Sequence, residues 1–452
     1  MRLLTDVTPL RENRAFRRLW LGTMLSQTGS AMTSFAVLLQ VYDLTRSTTA
    51  AGGIGAATFI PLLLITVPSG TLADRVDRRL LVLTVTVGQA VLSAALFALA
   101  AFGGAALWWL YLLVAAQSAL GAVGAPARQA FIPRLVPEAQ RAAAMALNRI
   151  IFQVMMIAGP ALAGLVVAGA GVRGCYLIDT VSFTAALWGV GRLPGMPAEP
   201  SGQAGQPGQA GHRKPSGLTL TLEGLSFIGR SRVLCGAFLA DVNATFFGLP
   251  LSLFPAINAE RYGGDPRTLG LFTTAIGVGG LVSAVFAGPL RHVSRHGEVM
   301  LACVAVWGGA FALFAVAPWL WLTLLALGLA GFADTFTVVI RGVIVQAVTP
   351  EELRGRVSAA DYLVGAGGGQ LGSLEAGLLG SLTTPEISAL SGGLLTIAGA
   401  VVIGAALPGF RRYQATTTRQ ARRTACPRPP AAPALPGRSP GPAADHARER
   451  SR

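Results

Sequence analysis

The chain has 452 residues, of which 52% are hydrophobic and 13% charged, and 56 are glycine. So little charge cannot cover a water-soluble surface of this size, and apolar stretches near twenty residues with Gly inside them match the hydrocarbon core of a bilayer, about 30 Å thick. The net charge of +15 does not point to nucleic acid, because the Arg residues cluster in the gaps between apolar stretches and in the tail rather than on one soluble face.

The first residues carry Arg2, Arg11, Arg14, Arg17 and Arg18 with Asp6 and Glu12, and the apolar run begins only near Phe16 without a cleavage site, so residues 1–15 are expected to be an uncleaved cytoplasmic arm. Apolar runs then predict spans near 16–42, 50–72, 80–102, 106–127, 142–167 and 172–192. A polar stretch rich in Gly, Pro, Gln and Ala follows at 194–217, which can neither pack a core nor cross a membrane and is expected to be a flexible cytoplasmic linker. A second set is predicted near 233–257, 268–290, 298–317, 319–340, 357–381 and 387–407, and a disordered basic tail at 408–452 that is drawn to anionic lipid. The expected fold is therefore an all-α membrane protein of twelve transmembrane helices in two six-helix halves, residues 16–193 and 218–407.

Orientation follows from charge. Only Arg46, Arg173, Arg261 and Arg267 fall in one alternate series of loops, and the rest of the loop Arg and Lys fall in the other, so both termini are expected in the cytoplasm. Cys175, Cys235, Cys303 and Cys426 have no metal-type spacing and are expected as free thiols.

Residues 128–150, RQAFIPRLVPEAQRAAAMALNRI, match residues 341–363, RGVIVQAVTPEELRGRVSAADYL, at a constant offset. Arg128 pairs with Arg341, Pro137 and Glu138 with Pro350 and Glu351, Arg141 with Arg354, Asn148 with Asp361, Gly159 with Gly372 and Gly164 with Gly377. This is a parallel repeat of two like-oriented halves, as in transporters that rock about a central site.

Between the second and third spans stands GTLADRVDRR, with Gly70, Asp74, Arg75, Arg78 and Arg79. It resembles the signature loop of the major facilitator superfamily. The segments FRRLWLGTMLSQTGS, VYDLTRST, LFPAI and TPEELRGRVSA are similar to the enterobactin-exporter-like and macrolide-efflux-like bacterial branch, and the likeness covers residues 10–407. The resemblance implies a conformational latch at this loop. Physically, Asp74 can sit at the positive end of a helix and the three Arg residues can pair with cytoplasmic carboxylates. Asp77 stands where the family usually has Gly, which makes the turn geometry less secure, and the second-half counterpart keeps Gly288 and Leu290 but has His292 in place of the Asp. AGPALAG, with Gly159, Pro160 and Gly164, resembles the Gly-Pro motif of superfamily antiporters. Small residues let helices approach and Pro bends them, while Ser373 replaces Pro in the other half.

Ionisable groups at membrane depth cost about 2.5 to 3.5 kcal/mol each on insertion scales, so each is a candidate site. Asp241, Asp334, Arg341 and Glu375 are the candidates for ion coupling, with Gln27 and Asn243 as cavity groups. Arg149 also lies within a span. Asp334 and Arg341 share a helical face two turns apart. Asp241 is the first choice for a proton or cation, with Asn243 and Thr245 extending a wet face. Glu375, between Gly372 and Gly377, is expected to be closely packed. Asp179 is expected as a structural anchor near the outer interface. Gln40, Gln89, Gln117, Gln153 and Gln370 suit hydrogen bonding to a ligand or between helices, and Phe246, Phe247 and Phe254 are candidate cavity aromatics.

No Walker loop, zinc spacing or paired nucleophile and base is present in the sequence, so no cofactor, no metal and no enzymatic activity are expected. The reading is a monomeric secondary transporter of the inner membrane, exporting a small hydrophobic or amphipathic molecule by proton antiport with alternating access. Import of a nutrient or siderophore is the first alternative, and a transport-inactive scaffold or sensor the second.

Overall fold

In the computed structural model, residues 6–103, 106–129, 131–193, 195, 217–286 and 295–414 are described, with the side chains of 67–75, 133, 217–221, 285, 359 and 366 excepted. The expected linker, the tail beyond residue 414, Gly288, Leu290, His292 and Cys426 lie outside the described residues, apart from the two linker positions 195 and 217.

Among the described residues the chain is helical, with no strand. The helices are α1 (Thr8–Glu12), α2 (Arg14–Thr45), α3 (Thr48–Arg75), α4 (Arg78–Phe102), α5 (Leu107–Gln129), α6 (Phe131–Leu135), α7 (Arg141–Ala170), α8 (Val172–Gly191), α9 (Gly217–Arg230), α10 (Arg232–Phe247), α11 (Phe254–Tyr262), α12 (Pro266–Phe286), α13 (His296–Val316), α14 (Leu320–Val348), α15 (Arg354–Leu382), α16 (Pro385–Ala406) and α17 (Pro408–Arg411). Nine helical stretches among the described residues are long and apolar enough to cross a membrane. The helices α2, α8 and α15 occupy the other three stretches expected to span, and each carries charged residues that lower its hydropathy.

Local chemistry sets the ends. Asn13 caps α2 by accepting from the Phe16 amide at 2.9 Å, and Thr384 caps α16 by accepting from Ile387 at 3.2 Å. At the far end of α2, Arg46 turns the chain in a left-handed conformation, φ 50°, and donates its amide to the Tyr42 carbonyl at 2.7 Å. The seventh expected span is interrupted: α10 stops at Phe247, the 3₁₀ turn Leu251–Leu253 follows Pro250, and α11 resumes the direction. Pro250 lacks an amide hydrogen and cannot sustain the helix. Helix α9 was not predicted, since its stretch reads only as the lead-in to the second set. Its Glu223 pairs with Arg356 of α15 at 2.5 Å.

α2 packs on α7 and α8, α4 on α5 and α8, and α3 on α5. Farther along, α13 packs on α14 and α16, α12 on α14, and α10 on α15 and α16. The two groups meet chiefly through α3 against α15 and α7 against α12, with smaller contacts of α3 on α9 and of α2 on α11. Antiparallel alternation puts Arg46, Gly171, Gly263 and Thr383 at one end of the bundle, called here the Arg46 end, and Asp77, Leu193, Thr349 and Pro408 at the other.

Among the described residues the hydrogen bonds between the groups lie from mid-bundle to the Arg46 end, while α3 also meets α9 at the opposite end. Thr48 donates to the Gly377 carbonyl at 2.8 Å, Thr49 meets Ser381 at 2.6 Å, and Gln153 donates to the Gly277 carbonyl at 2.9 Å. Glycine makes this closeness possible. A methyl added at Gly164 would lie 2.7 Å from the Pro266 carbonyl oxygen, and one at Gly270 would lie 2.6 Å from that of Pro160. A separate aromatic core of Phe254, Phe272 and Phe314, with ring centroids 5.2 to 5.7 Å apart, fixes α11, α12 and α13 at the same end. Phe254 is thus a core residue and not a cavity aromatic.

Candidate functional site

The strongest concentration of charge inside the bundle joins α10, α14 and α15. Arg341 of α14, 8% exposed, reaches Asp241 Oδ2 of α10 at 2.5 Å and Asp361 Oδ1 of α15 at 3.3 Å. Asp241 itself is 3% exposed, whereas the Asp361 side chain is 37% exposed. The guanidinium also lies 5.9 Å from the Phe238 ring centroid. One cation therefore serves two carboxylates, and the trio carries a surplus negative charge when all are ionised. Asp334, two turns before Arg341 on α14, makes no ion pair with it among the described residues, where Arg341 is taken up by Asp241 and Asp361.

Sequence reasoning singled out Asp241 and Arg341, which the structure brings together, but it passed over Asp361. The available signal was the repeat: Asp361 replaces the amide of Asn148, so the second half carries a carboxylate where the first carries none. The equivalent of Arg341 in the first set, Arg128, bonds to Gln89 Oε1 at 2.8 Å instead of to an acid among the described residues.

Several expectations are redirected. Asn243 does not extend a wet face: it is buried and donates to the Thr396 carbonyl of α16 at 2.8 Å, because the small Gly399 lets α16 come against it. Thr245 turns back to the Asp241 carbonyl at 2.9 Å. Glu375 is not enclosed between the glycines beside it. Gly372 and Gly377 face α10 and α3, whereas Glu375 lies on another side of α15 and lines an open cleft of about 480 Å³ with Phe246 and five leucines. Gln27 is half-buried on α2. Gln40, Gln89 and Gln153 are engaged by Tyr176, Arg128 and the Gly277 carbonyl, so these three amides link helices.

At the α3–α4 turn, Gly70, Asp74 and Arg75 fall in helix, but their side chains lie outside the described residues. Asp77 proves to be the N-cap of α4: its Oδ1 accepts from the Arg79 and Leu80 amides at 2.8 and 3.1 Å. The departure from Gly thus gives this turn a cap. Arg79 donates to the Gly191 carbonyl at the C-terminal end of α8, a helix-end partner rather than the expected carboxylate. Arg78 is half-buried at the start of α4. The Gly159–Pro160–Gly164 motif lies inside the continuous helix α7, where Gly159 meets Ala31 of α2 and Gly164 meets α12.

The comparisons with known proteins agree with this architecture. A family model described as transmembrane secretion effector, of the major facilitator superfamily, matches residues 4–431. The chain belongs to that family. It is 26% identical over 419 residues to enterobactin exporter EntS of Shigella boydii serotype 18, covering 91% of this chain and 96% of that protein, and equally so to its counterpart in Escherichia coli O81. Among solved structures it is similar to a POT family transporter crystallised with 5-aminolevulinic acid (TM-score 0.70, 11% identity, 88% of this chain and 97% of that one). It also resembles a bacterial homologue of the iron transporter ferroportin in its inward-facing state (TM-score 0.64, 17% identity, 88% and 99%). These two likenesses concern the fold. The protein is thus a multi-pass inner-membrane transporter of the enterobactin-exporter-like branch of the superfamily, and not an enzyme.

Proposed function

We propose that the chain exports a small hydrophobic or amphipathic molecule, of which a siderophore is one instance, by proton antiport with alternating access. The observation that carries the coupling is the Asp241–Arg341–Asp361 trio, in which a single buried cation is shared by two acids from two other helices. A proton arriving at one carboxylate leaves Arg341 to the other, so protonation changes which helix α14 is tied to. One elementary charge is worth about 2.3 kcal/mol per 100 mV of membrane potential, enough to drive accumulation when joined to a pH difference.

The reading extends to topology. Twelve helices cross the membrane in two sets, 16–193 and 218–407, with both termini, the 194–217 linker and the 408–452 tail in the cytoplasm, because the Arg46 end holds few basic residues. On that orientation the glycine-mediated contacts lie on the outer side. Gly70, Asp74, Arg75, Arg78 and Arg79 act as the latch of the inner side, Gly159, Pro160 and Gly164 as a packing joint, and Gln27 as a ligand-facing amide. The molecule works as a monomer embedded in lipid.

Proteoliposomes with an imposed pH gradient test this, with enterobactin and an amphipathic dye as probes. Gradient-dependent extrusion of either is the expected result, and Asp241→Asn retains flux while losing its dependence on pH. Movement of both probes unchanged by the gradient overturns proton antiport. Uptake of either probe against its gradient overturns the direction.

A further inference from the structure

A second carboxylate that is buried among the described residues, Asp179 of α8, has surroundings unlike those of Asp241. It is 0% exposed and makes no ion pair with Arg or Lys among the described residues. Instead it is held by hydroxyls from two other helices: Ser30 of α2 donates to Oδ1 at 3.1 Å, Thr33 of α2 to Oδ2 at 2.9 Å, and Ser93 of α4 to Oδ2 at 2.8 Å. Ser182, on the next turn of α8, adds a fourth hydroxyl at the edge of the cluster. Space around it is fully used, since a methyl added at Gly29 would lie 2.9 Å from Asp179 Oδ1. The other titratable groups on this part of α8 are Cys175, which faces Asp179 and contacts the Ala163 carbonyl of α7, and Tyr176, whose phenol donates to Gln40 of α2. No charged side chain of α2, α4 or α7 pairs with Asp179 among the described residues. Its place opposite the middle of α2 is deeper than the interfacial anchor expected from sequence.

We propose that Asp179 is a proton-binding site in the first helix set, solvated in both charge states by the hydroxyls of Ser30, Thr33 and Ser93. The proposal deepens the antiport reading above by adding a second station for the coupling ion. An isolated carboxylate at membrane depth without a counter-ion is costly, so the group must take up a proton or a small cation in part of the cycle. The hydroxyl cage favours the proton. Each hydroxyl both donates and accepts, so three donors can serve the carboxylate, and one of them can rotate to accept from the carboxylic acid. A guanidinium, which only donates, offers no such choice to the carboxyl of Asp241 beside Arg341. A metal ion between the carboxylate and the hydroxyls has to part oxygens already at hydrogen-bonding distance, whereas a proton needs no added room. Of the three hydroxyl donors, Ser30 is the half-buried one, and Thr33 and Ser93 are buried. Protonation converts charge-assisted bonds into weaker neutral ones and so loosens α2 from α4 and α8.

Infrared titration of the purified full-length protein in proteoliposomes, without substrate, reads this directly. The carbonyl band of a buried protonated carboxyl is expected in the wild type on acidification and is lost in Asp179→Asn. Ser93→Ala, which keeps the acid but removes a donor to its anion, is expected to move the midpoint upward by about one pH unit. Absence of any band difference between wild type and Asp179→Asn overturns the proposal and leaves a permanently ionised structural group. A midpoint unmoved by Ser93→Ala overturns it even if Asp179→Asn does not fold. A band that responds to sodium concentration instead of pH also overturns it, in favour of a cation site. An intact titration together with pH-independent flux removes the antiport reading while keeping this site.

Discussion

Arg341 is the residue on which the acids of the second helix set depend. Removing one partner from a buried pair leaves the other charge unmet, which in soluble proteins costs about 3–5 kcal/mol. Arg341→Met therefore strands Asp241 and is expected to depress thermal stability in detergent far more than Asp361→Asn, since Asp361 is partly exposed and the Arg341–Asp241 pair survives its loss. Thermal shift of the two variants checks the order, and equal losses contradict it. Asp241 and Arg341 were legible in the sequence because charge inside an apolar run is conspicuous. Asp361 was not, for it stands in the first turns of α15, near loop residues where acids are ordinary, and only the fold carries it beneath α14. Asn243 misled for a related reason: one amide in an apolar helix says nothing about which neighbour it meets, and here it meets the backbone of α16.

At the scale of elements, the expected spans of the first and second sets coincide with α2–α5, α7, α8, α10 and α12–α16, since a twenty-residue apolar period is hard to mistake. What escaped was irregular. The break at Gly248–Pro250 hid inside an apolar run, and α9 was masked by the linker beside it. Asp77 was read as a flaw in a borrowed pattern when its own chemistry, a short carboxylate just before a helix, describes a cap. Asp77→Ala is expected to cost about 1 kcal/mol through that cap alone, measurable as a modest fall in melting temperature without change of fold. Gly164→Leu is a harsher change. Overpacking costs about 1–3 kcal/mol, and here it falls on the state in which α7 touches α12, so this variant is expected to shift the conformational equilibrium about tenfold or more away from the structure described. Distance measurements between spin labels on α7 and α12 read that shift, and an unchanged distribution refutes it.

Over the whole molecule, the two groups of helices and their main crossing contacts, α3 on α15 and α7 on α12, agree with an internal repeat that was visible as a constant offset between Arg128 and Arg341. Orientation in the membrane rests on charge counting alone. Lys214 is the sole lysine of the chain, which gives a clean assay: an amine reagent that cannot cross membranes is expected to label it in inverted vesicles and to spare it in intact cells. Labelling from outside reverses the topology and, with it, the side on which the glycine-mediated contacts lie.

The joint at the Arg46 end is built largely from glycines meeting backbone oxygens, with hydroxyl and amide bonds beside them. Steric fit and dipoles are nearly indifferent to ionic strength, so this contact holds equally in fresh and salty surroundings. What can pry such a joint apart is mechanical: lateral pressure and thickness of the surrounding bilayer. Turnover should accordingly vary more with acyl-chain length than with external salt.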